Sequence, residues 1–196
     1  AYDGQTITYD AIGNPLNDGR RRYEWQAGRQ LKKMSKSGTT AEYTYDHNGQ
    51  RVKKVVNGVT TEYYYSGEQY TGMHTSDGKD VGAILDASGS LYGIYYDDST
   101  IGTDVGQTYY FVYNGQGDVI GITDPRNRLA VSYTYDAWGK LLSTGGDSPA
   151  LAAANPIRYR GYYYDTESGL YYLNSRYYDP ETGRFLNADG QLSTGS

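Results

Sequence analysis

The chain has 196 residues and a formal net charge of −5, and it combines 25 Tyr and 26 Gly with 2 Phe, 2 Trp and no Cys. The lack of cysteine excludes disulfides, thiolate metal sites and a cysteine nucleophile, and the acidic balance gives no overall basis for nucleic-acid binding. Tyrosine favours half-buried strands and glycine favours tight turns, so we expect many short strands joined by turns. The mean hydropathy of −0.75 favours a thin, tyrosine-built layer over a thick, dry core.

A short pattern recurs along the chain: an aromatic or β-branched residue, any residue, Tyr, Asp or Asn, two further residues, and Gly. Because alternate residues of a strand face the same side, its two large side chains share one surface. The Asp or Asn suits the start of a type I turn, and the Gly suits the left-handed position that closes it. We therefore assign turn roles to Asp10, Gly13, Asp46, Gly49, Asn114, Gly117, Asp136 and Gly139.

In chain order, alternating segments between turn signals predict a series of strands. These are expected near residues 5–10, 21–26, 41–46, 50–56, 59–65, 81–86, 90–96, 107–113, 118–123, 129–135, 140–143, 157–164, 170–174 and 184–187. Asn57-Gly58, between two alternating runs, indicates a two-residue hairpin. A lone hairpin is marginal in water, so neighbouring units must stack side by side. The predicted fold class is all-β, built from stacked antiparallel β-hairpins.

Two runs concentrate basic residues, at positions 20–22 and 51–54. Charged side chains at strand edges keep a sheet from pairing with other chains, so we expect both runs to be solvated. A ligand-binding patch is the alternative. Residues 66–79 and 97–106 are polar and glycine-rich and are predicted to be loops.

One segment, residues 147–156, breaks the rhythm of strands. It predicts a short helix over residues 148–154. Ser148 is placed to cap this helix, Pro149 fits its first turn, and Asn155-Pro156 ends it.

The most specific motif lies between residues 155 and 189. Its characteristic residues are Arg158, Arg160, Gly161, Tyr164, Asp165, Arg176, Tyr177, Tyr178, Asp179, Pro180, Gly183, Arg184 and Phe185. This motif resembles the core that ends the conserved part of YD-repeat (Rhs) proteins, and the upstream units resemble YD repeats. That family includes bacterial polymorphic toxins, the C component of insecticidal toxin complexes, and teneurins.

The resemblance implies a strip of sheet that spirals into a hollow shell, with the core motif as a plug at its end. A variable C-terminal toxin follows the core in such bacterial proteins, so the implied partner is a downstream toxin domain, and the implied location is secreted or at the bacterial surface. We divide the chain into hairpins (1–146), helix and linker (147–156), core motif (157–189) and the start of a variable region (190–196). The chain is expected to be a piece of a longer protein.

Some members of the family release the toxin by aspartate-dependent self-cleavage. The resemblance makes Asp179, Asp189 and Arg176 the candidate residues. Asp189 is followed by Gly190, where the family pattern has Pro, and the second cleavage motif does not occur before Ser196. Self-cleavage is therefore not expected in this chain and stays open for a longer parent.

The remaining chemistry favours a structural protein without an active site of its own. The turn carboxylates recur along a line, whereas acid–base catalysis needs two that converge in one pocket. His47 and His74 have no neighbouring ligands in the sequence, so we expect no metal and no cofactor. No apolar run is long enough for a membrane span. Two further partners stay open: a glycan stacked on exposed tyrosines such as those at 63–65, and a second copy paired through sheet edges.

Overall fold

The computed structural model describes residues 6–101, 106–174 and 176–187 and contains two antiparallel sheets. Fourteen strands form the long sheet, each paired with its neighbours in chain order. They are β1 (Thr8–Tyr9), β2 (Pro15–Asn17), β3 (Arg22–Gln26), β4 (Gln30–Lys36), β5 (Thr39–Tyr45), β6 (Arg51–Val56), β7 (Val59–Ser66), β8 (Gln69–Thr75), β9 (Lys79–Leu85), β10 (Leu91–Asp98), β11 (Gln107–Tyr113), β12 (Val119–Thr123), β13 (Leu129–Tyr135) and β14 (Leu141–Gly145). The all-β fold of stacked antiparallel hairpins is confirmed.

The chain then crosses from the long sheet to a second, smaller one. It passes through helix α1 (Pro149–Ala154) and a 3₁₀ turn (Tyr159–Gly161). The four strands that follow make the terminal sheet: β15 (Tyr163–Asp165), β16 (Leu170–Leu173), β17 (Arg176–Asp179) and β18 (Arg184–Phe185). None of the helices in the described part of the chain is long and apolar enough to cross a membrane.

An Asp carboxylate stabilises the hairpin turn by accepting hydrogen bonds from backbone N–H groups of the same turn. At β5–β6, Asp46 Oδ1 accepts the N–H groups of Asn48 and Gln50, each at 2.9 Å. The Gly49 N–H donates to the Asp46 carbonyl at 3.1 Å, and Gly49 has a φ of 82°. The pairing shifts by one residue beside this turn, between Thr44 and Tyr45. Such a bulge changes which side chains of the next strand face the core.

The long sheet has one covered side and one exposed side. The inner face, defined here as the side covered by α1 and the terminal sheet, carries a buried row of Tyr63, Met73 and Val81. On the opposite, outer face Tyr64 is 50% exposed. The alternation expected within residues 63–65 is confirmed, because successive strand residues point to opposite sides.

The inner face carries two packed clusters. One joins Tyr23, Leu31 and Met34 of the long sheet to Leu170 and Tyr177 of the terminal sheet. The other is larger and includes Phe111, Ile122 and Val131, covered by Leu151 of α1 and by Ile157. The core of the protein therefore lies between the inner face and the last quarter of the chain.

Several element predictions are wrong. Residues 66–79 are not a loop, because they contain β8, and residues 157–164 are not one strand, because the 3₁₀ turn lies within them. Strand β8 has Gly72 and His74 on its outer side, so few apolar residues mark it in the sequence. At Arg160 the backbone is left-handed, with φ 55°, and this ends the extended conformation.

Other elements lie outside the predicted set or differ at their ends. Strands β2, β4 and β17 were not predicted, and β10 continues into the loop predicted at 97–106, of which residues 102–105 lie outside the described part. Helix α1 is confirmed, with Pro149 in its first turn. The prediction that Ser148 caps the helix is wrong, because the Ser148 side chain makes no capping hydrogen bond. The hairpin at Asn57-Gly58 is confirmed by positive φ at both residues.

Candidate functional site

The candidate site is the interface between the inner face and the terminal sheet, and an ion pair lies at its centre. The Asp165 carboxylate accepts two bonds from the Arg51 guanidinium, at 2.6 Å and 3.0 Å. Lys54 Nζ lies 2.9 Å from Asp165 and 3.0 Å from Glu167. Arg51 is 1% exposed and Asp165 is fully buried. The terminal sheet is thus joined to β6 by charges withdrawn from water.

Tyrosine rings surround the Arg51 guanidinium. Its central carbon lies 4.2 Å from the ring centroid of Tyr172, 4.9 Å from Tyr63 and 5.0 Å from Tyr163. The Tyr43 ring is at 5.4 Å. The rings come from both sheets, and their negative faces stabilise the buried cation. These tyrosine rings therefore surround the Arg51 guanidinium only when the two sheets are in register.

Burial and the neighbouring charges shift the pKa of Asp165 in opposite directions. Burial alone would raise the pKa of the Asp165 carboxyl, but the charges of Arg51 and Lys54 outweigh it and hold this pKa below its ordinary value. Burial raises the pKa of the Tyr43 and Tyr163 hydroxyls well above the ordinary value. The carboxylate is therefore charged and the tyrosines neutral around pH 7.

A second ion cluster holds the other edge of the terminal sheet. Asp179 accepts bonds from Arg20 at 2.9 Å and from Arg21 at 3.1 Å. Arg21 also donates to Asp18 at 3.0 Å and, through Nε, to the Ser168 carbonyl at 2.8 Å. A single guanidinium thus joins the β2–β3 turn to two turns of the terminal sheet.

Arg158 organises the crossing between the sheets. Its guanidinium lies 4.6 Å from the Tyr164 ring centroid and 5.2 Å from that of Tyr133, and its Nη2 donates to the Ala152 carbonyl at 3.2 Å. The Arg160 N–H donates to Asp118 at 2.9 Å. These contacts fasten the start of the core motif to α1, β13 and the turn before β12.

Glu181 contacts turns from opposite ends of the long sheet. Its carboxylate lies 3.0 Å from Lys140 Nζ, at the β13–β14 turn, and 4.0 Å from Arg20, at the β2–β3 turn. Nearby, the Tyr178 hydroxyl donates to the Trp138 carbonyl at 2.8 Å. The long sheet therefore curls until its β2–β3 and β13–β14 turns meet over the terminal sheet.

The expectation that both basic runs are solvated is correct for Arg22 and Lys53, which are exposed, but wrong for three other members of the runs. Arg21, Arg51 and Lys54 are 2%, 1% and 7% exposed, and each pairs with a carboxylate. Simple alternation would place Arg51 and Lys54 on opposite faces. The bulge opposite Thr44 and Tyr45 brings them to the same face, and sequence periodicity did not reveal it.

The candidate residues for self-cleavage are not brought together in the described part of the chain. Asp179 lies against Arg20 and Arg21, whereas Arg176, on the opposite face of β17, stacks over the Phe185 ring at 4.2 Å. Asp189 lies outside the described residues. No group of three metal-ligating side chains converges among the residues that the structure describes. The paired charges are suited to holding two sheets in one register.

Comparisons with known proteins agree on one family. The family described as Teneurin YD-shell has a sequence model that matches residues 1–195. The chain is 37% identical over 190 residues to the tRNA3(Ser)-specific nuclease WapA of Bacillus spizizenii, covering 94% of this chain and 8% of that protein. It is 35% identical over 80 residues to the toxin protein Tse5 of Pseudomonas aeruginosa, covering 41% of this chain and 6% of that protein.

Solved structures give the same fold. The chain matches the Photorhabdus luminescens Tc holotoxin pore with a TM-score of 0.73 at 20% identity, covering 94% of this chain and 9% of that one. The chain spans less than a tenth of the length of each of these relatives.

Proposed function

The chain belongs to the teneurin YD-shell family, and from that membership we propose that it forms the closing part of a β-shell around a toxin domain. In this proposal the long sheet is the last portion of the shell wall. The terminal sheet is the plug at its end, and the toxin domain follows residue 196 in the complete polypeptide. The chain itself contributes no catalysis.

One observation carries the proposal. The terminal sheet folds back onto the inner face, and its Glu181 contacts turns at both ends of the curled long sheet. A terminal motif that did not close the shell would lie on the outer face or beyond the sheet edge. A plug has to contact the wall on more than one side, and the contacts of Glu181 with Arg20 and Lys140 support that role.

The buried charges support the same role. A plug that slid by one strand residue would turn its side chains to the wrong face. The Arg51–Asp165 pair is satisfied in a single register, because both guanidinium bonds end on one carboxylate. Removing one member of such a pair leaves an uncompensated charge in the interior. The ion pair therefore penalises every alternative seating of the plug.

The test uses the complete polypeptide and follows the segment after residue 196 by limited proteolysis. We expect that segment to resist protease in the parent protein and to be digested at least several-fold faster in Asp165→Ala, because the plug is loosened. Glu42→Gln is the matched control: its carboxylate is exposed on the outer face and pairs with Lys33 at 3.1 Å. A downstream segment that is digested equally fast in the parent and in Asp165→Ala contradicts the enclosure.

The other functions foreseen from the sequence stay predictions. Glycan binding has exposed candidates in Tyr64 and Tyr95, which are 50% and 37% exposed on the outer face. Pairing between copies has a candidate edge in β14, where Leu142 is 61% exposed. Self-cleavage concerns Asp189 and the sequence beyond Ser196, and an intact band of the complete polypeptide over weeks would argue against it.

A further inference from the structure

A cavity of about 330 Å³ lies on the inner side of the long sheet, where both sheets contribute to its lining. Two of its tyrosines, Tyr65 and Tyr70, come from the β7–β8 hairpin and pack against the buried core of the inner face. Two others, Tyr163 and Tyr172, come from the terminal sheet. The cavity is therefore continuous with the interface that joins the two sheets.

Most of these tyrosines present their rings to the cavity while their hydroxyls are bound within the protein. The Tyr65 hydroxyl donates to the Arg51 carbonyl at 2.9 Å, and the Tyr172 hydroxyl accepts the Arg51 N–H at 3.2 Å. The Tyr163 hydroxyl donates to the Tyr63 hydroxyl at 3.2 Å. A group that enters the cavity therefore meets mainly aromatic carbon.

Tyr70 differs from the other three. Its hydroxyl oxygen is buried and has no hydrogen-bond partner among the described residues. Its ring packs edge-to-face between two others, with centroids 6.2 Å from Tyr65 and 5.9 Å from Tyr163. A buried hydroxyl without a partner costs free energy, and a ligand that carries its own N–H or O–H group can remove that cost.

The size and lining of the cavity suit an aromatic ring. An apolar cavity of about 150 Å³ accommodates benzene, so the larger volume here accommodates a bicyclic ring such as indole. Ile157 and Leu173 add aliphatic contacts. A further ring that joins an edge-to-face cluster gains attraction beyond the area that it buries, which an aliphatic side chain does not.

The position of the cavity indicates where such a ring comes from. The inner side is the side that the proposed function assigns to the toxin domain. The chain leaves the terminal sheet after β18 (Arg184–Phe185), so the polypeptide that follows starts from a sheet that lines the cavity. We propose that the cavity binds an aromatic side chain, Trp or Tyr, of the enclosed segment that follows residue 196. This inference rests on the proposed function.

The first experiment titrates the 196-residue chain with N-acetyl-tryptophanamide and follows amide and tyrosine-ring chemical shifts, which should change around residues 65–70 and 161–174. This probe should bind about fivefold more tightly than N-acetyl-leucinamide, because only an aromatic ring joins the cluster. Leu173→Glu should weaken its binding about tenfold or more, since a carboxylate then lies in the apolar lining. The control Leu129→Glu adds the same charge at a residue that is 55% exposed and outside the cavity, and it should change the affinity by no more than about twofold.

Tyr70→Phe tests the unpartnered hydroxyl and keeps the ring. We expect this variant to bind N-acetyl-tryptophanamide about fivefold more weakly and N-acetyl-phenylalaninamide as tightly as the parent chain does, because only the indole carries a ring N–H group. An equal change for both probes contradicts the preference for Trp or Tyr.

A second arm uses the complete polypeptide, in which the cavity should already be filled. N-acetyl-tryptophanamide should bind it about tenfold more weakly than it binds the 196-residue chain, because the enclosed side chain competes from within the same molecule. Equal binding to both forms overturns this inference. If the segment after residue 196 still resists protease, the enclosure stands and the cavity is a site for a free aromatic compound.

Two other outcomes also overturn the inference. Equal probe binding together with rapid digestion of the downstream segment removes both the inference and the enclosure. Absence of binding of every probe to the 196-residue chain, or an equal loss in the Leu129→Glu control, removes the binding site itself.

Discussion

The inner face of the long sheet is covered in two different ways. Over β2–β6 the cover is the terminal sheet, and buried ion pairs such as Arg51–Asp165 and Arg21–Asp179 lie beside an apolar cluster there. Over β11–β13 the cover is α1, and the contact is apolar, with Leu151 packed among Phe111 and Val131. One sheet thus combines buried ion pairs with apolar packing at one end and relies on apolar burial at the other.

The difference separates stability from specificity. Apolar burial is non-directional and favours any close contact, so it supplies free energy without fixing a register. A buried ion pair gains little net stability over an apolar pair but is costly when mismatched. We infer that the apolar cluster holds the fold together and that the ionic interface selects how the terminal sheet is seated. The predictions below test this division.

The largest effect is expected from Asp165→Ala. This change leaves Arg51 buried without its carboxylate and Lys54 paired with Glu167 alone, and it should lower the free energy of unfolding by about 3–5 kcal/mol. Urea denaturation measures it. Glu42→Gln, which removes an exposed partner of Lys33, should cost at most about 1 kcal/mol. If the two variants lose the same amount, the ionic interface has no special role.

A slightly smaller loss is expected on the apolar side. Leu151 is 1% exposed, and Leu151→Ala removes buried methyl groups and leaves a cavity, which should cost about 3 kcal/mol. Leu142→Ala is the control, because Leu142 is 61% exposed and should change stability by less than about 0.5 kcal/mol. If the two variants had the same urea midpoint, the assignment of Leu151 to the apolar core would be contradicted.

Lowering the pH should change the stability loss caused by Asp165→Ala but not the loss caused by Leu151→Ala. The pKa of Asp165 is lowered in the folded state, so its stabilisation is present above the unfolded pKa of about 3.9 and is lost as the pH falls through the folded pKa. The stability gap between the parent and Asp165→Ala should therefore narrow as the pH is lowered from 7 to strongly acidic values. The gap for Leu151→Ala should stay constant. Denaturation series at several pH values decide the matter, and a constant gap for Asp165→Ala would count against it.

The smallest effect concerns the start of α1. A working Ser cap is worth about 0.5–2 kcal/mol, but the Ser148 side chain makes no capping bond. Ser148→Ala should therefore change the free energy of unfolding by less than about 0.5 kcal/mol. Thermal unfolding of the variant provides the measurement. A loss of unfolding free energy above about 1 kcal/mol would show that the Ser148 side chain does cap the helix.

The hairpin wall was predictable because its information is local. Asp46 and Gly49 carry their own turn chemistry, and alternation gives the faces of Tyr63 and Tyr64. Strand β8 escaped prediction because its outer residues are polar and its partner strands, rather than its own sequence, define it. The terminal motif was recognised by resemblance, which implied a plug without indicating what it touches.

The sequence by itself determined the all-β class, the Asp-based turns, helix α1 and the family, since each depends on residues close together in the chain. Only the tertiary structure decided which cations are buried. A bulge rotates Arg51 and Lys54 to one face, and the curl of the sheet brings Arg20 and Lys140 to one carboxylate. Burial and ion pairing depend on groups distant in the chain, so no local pattern encodes them.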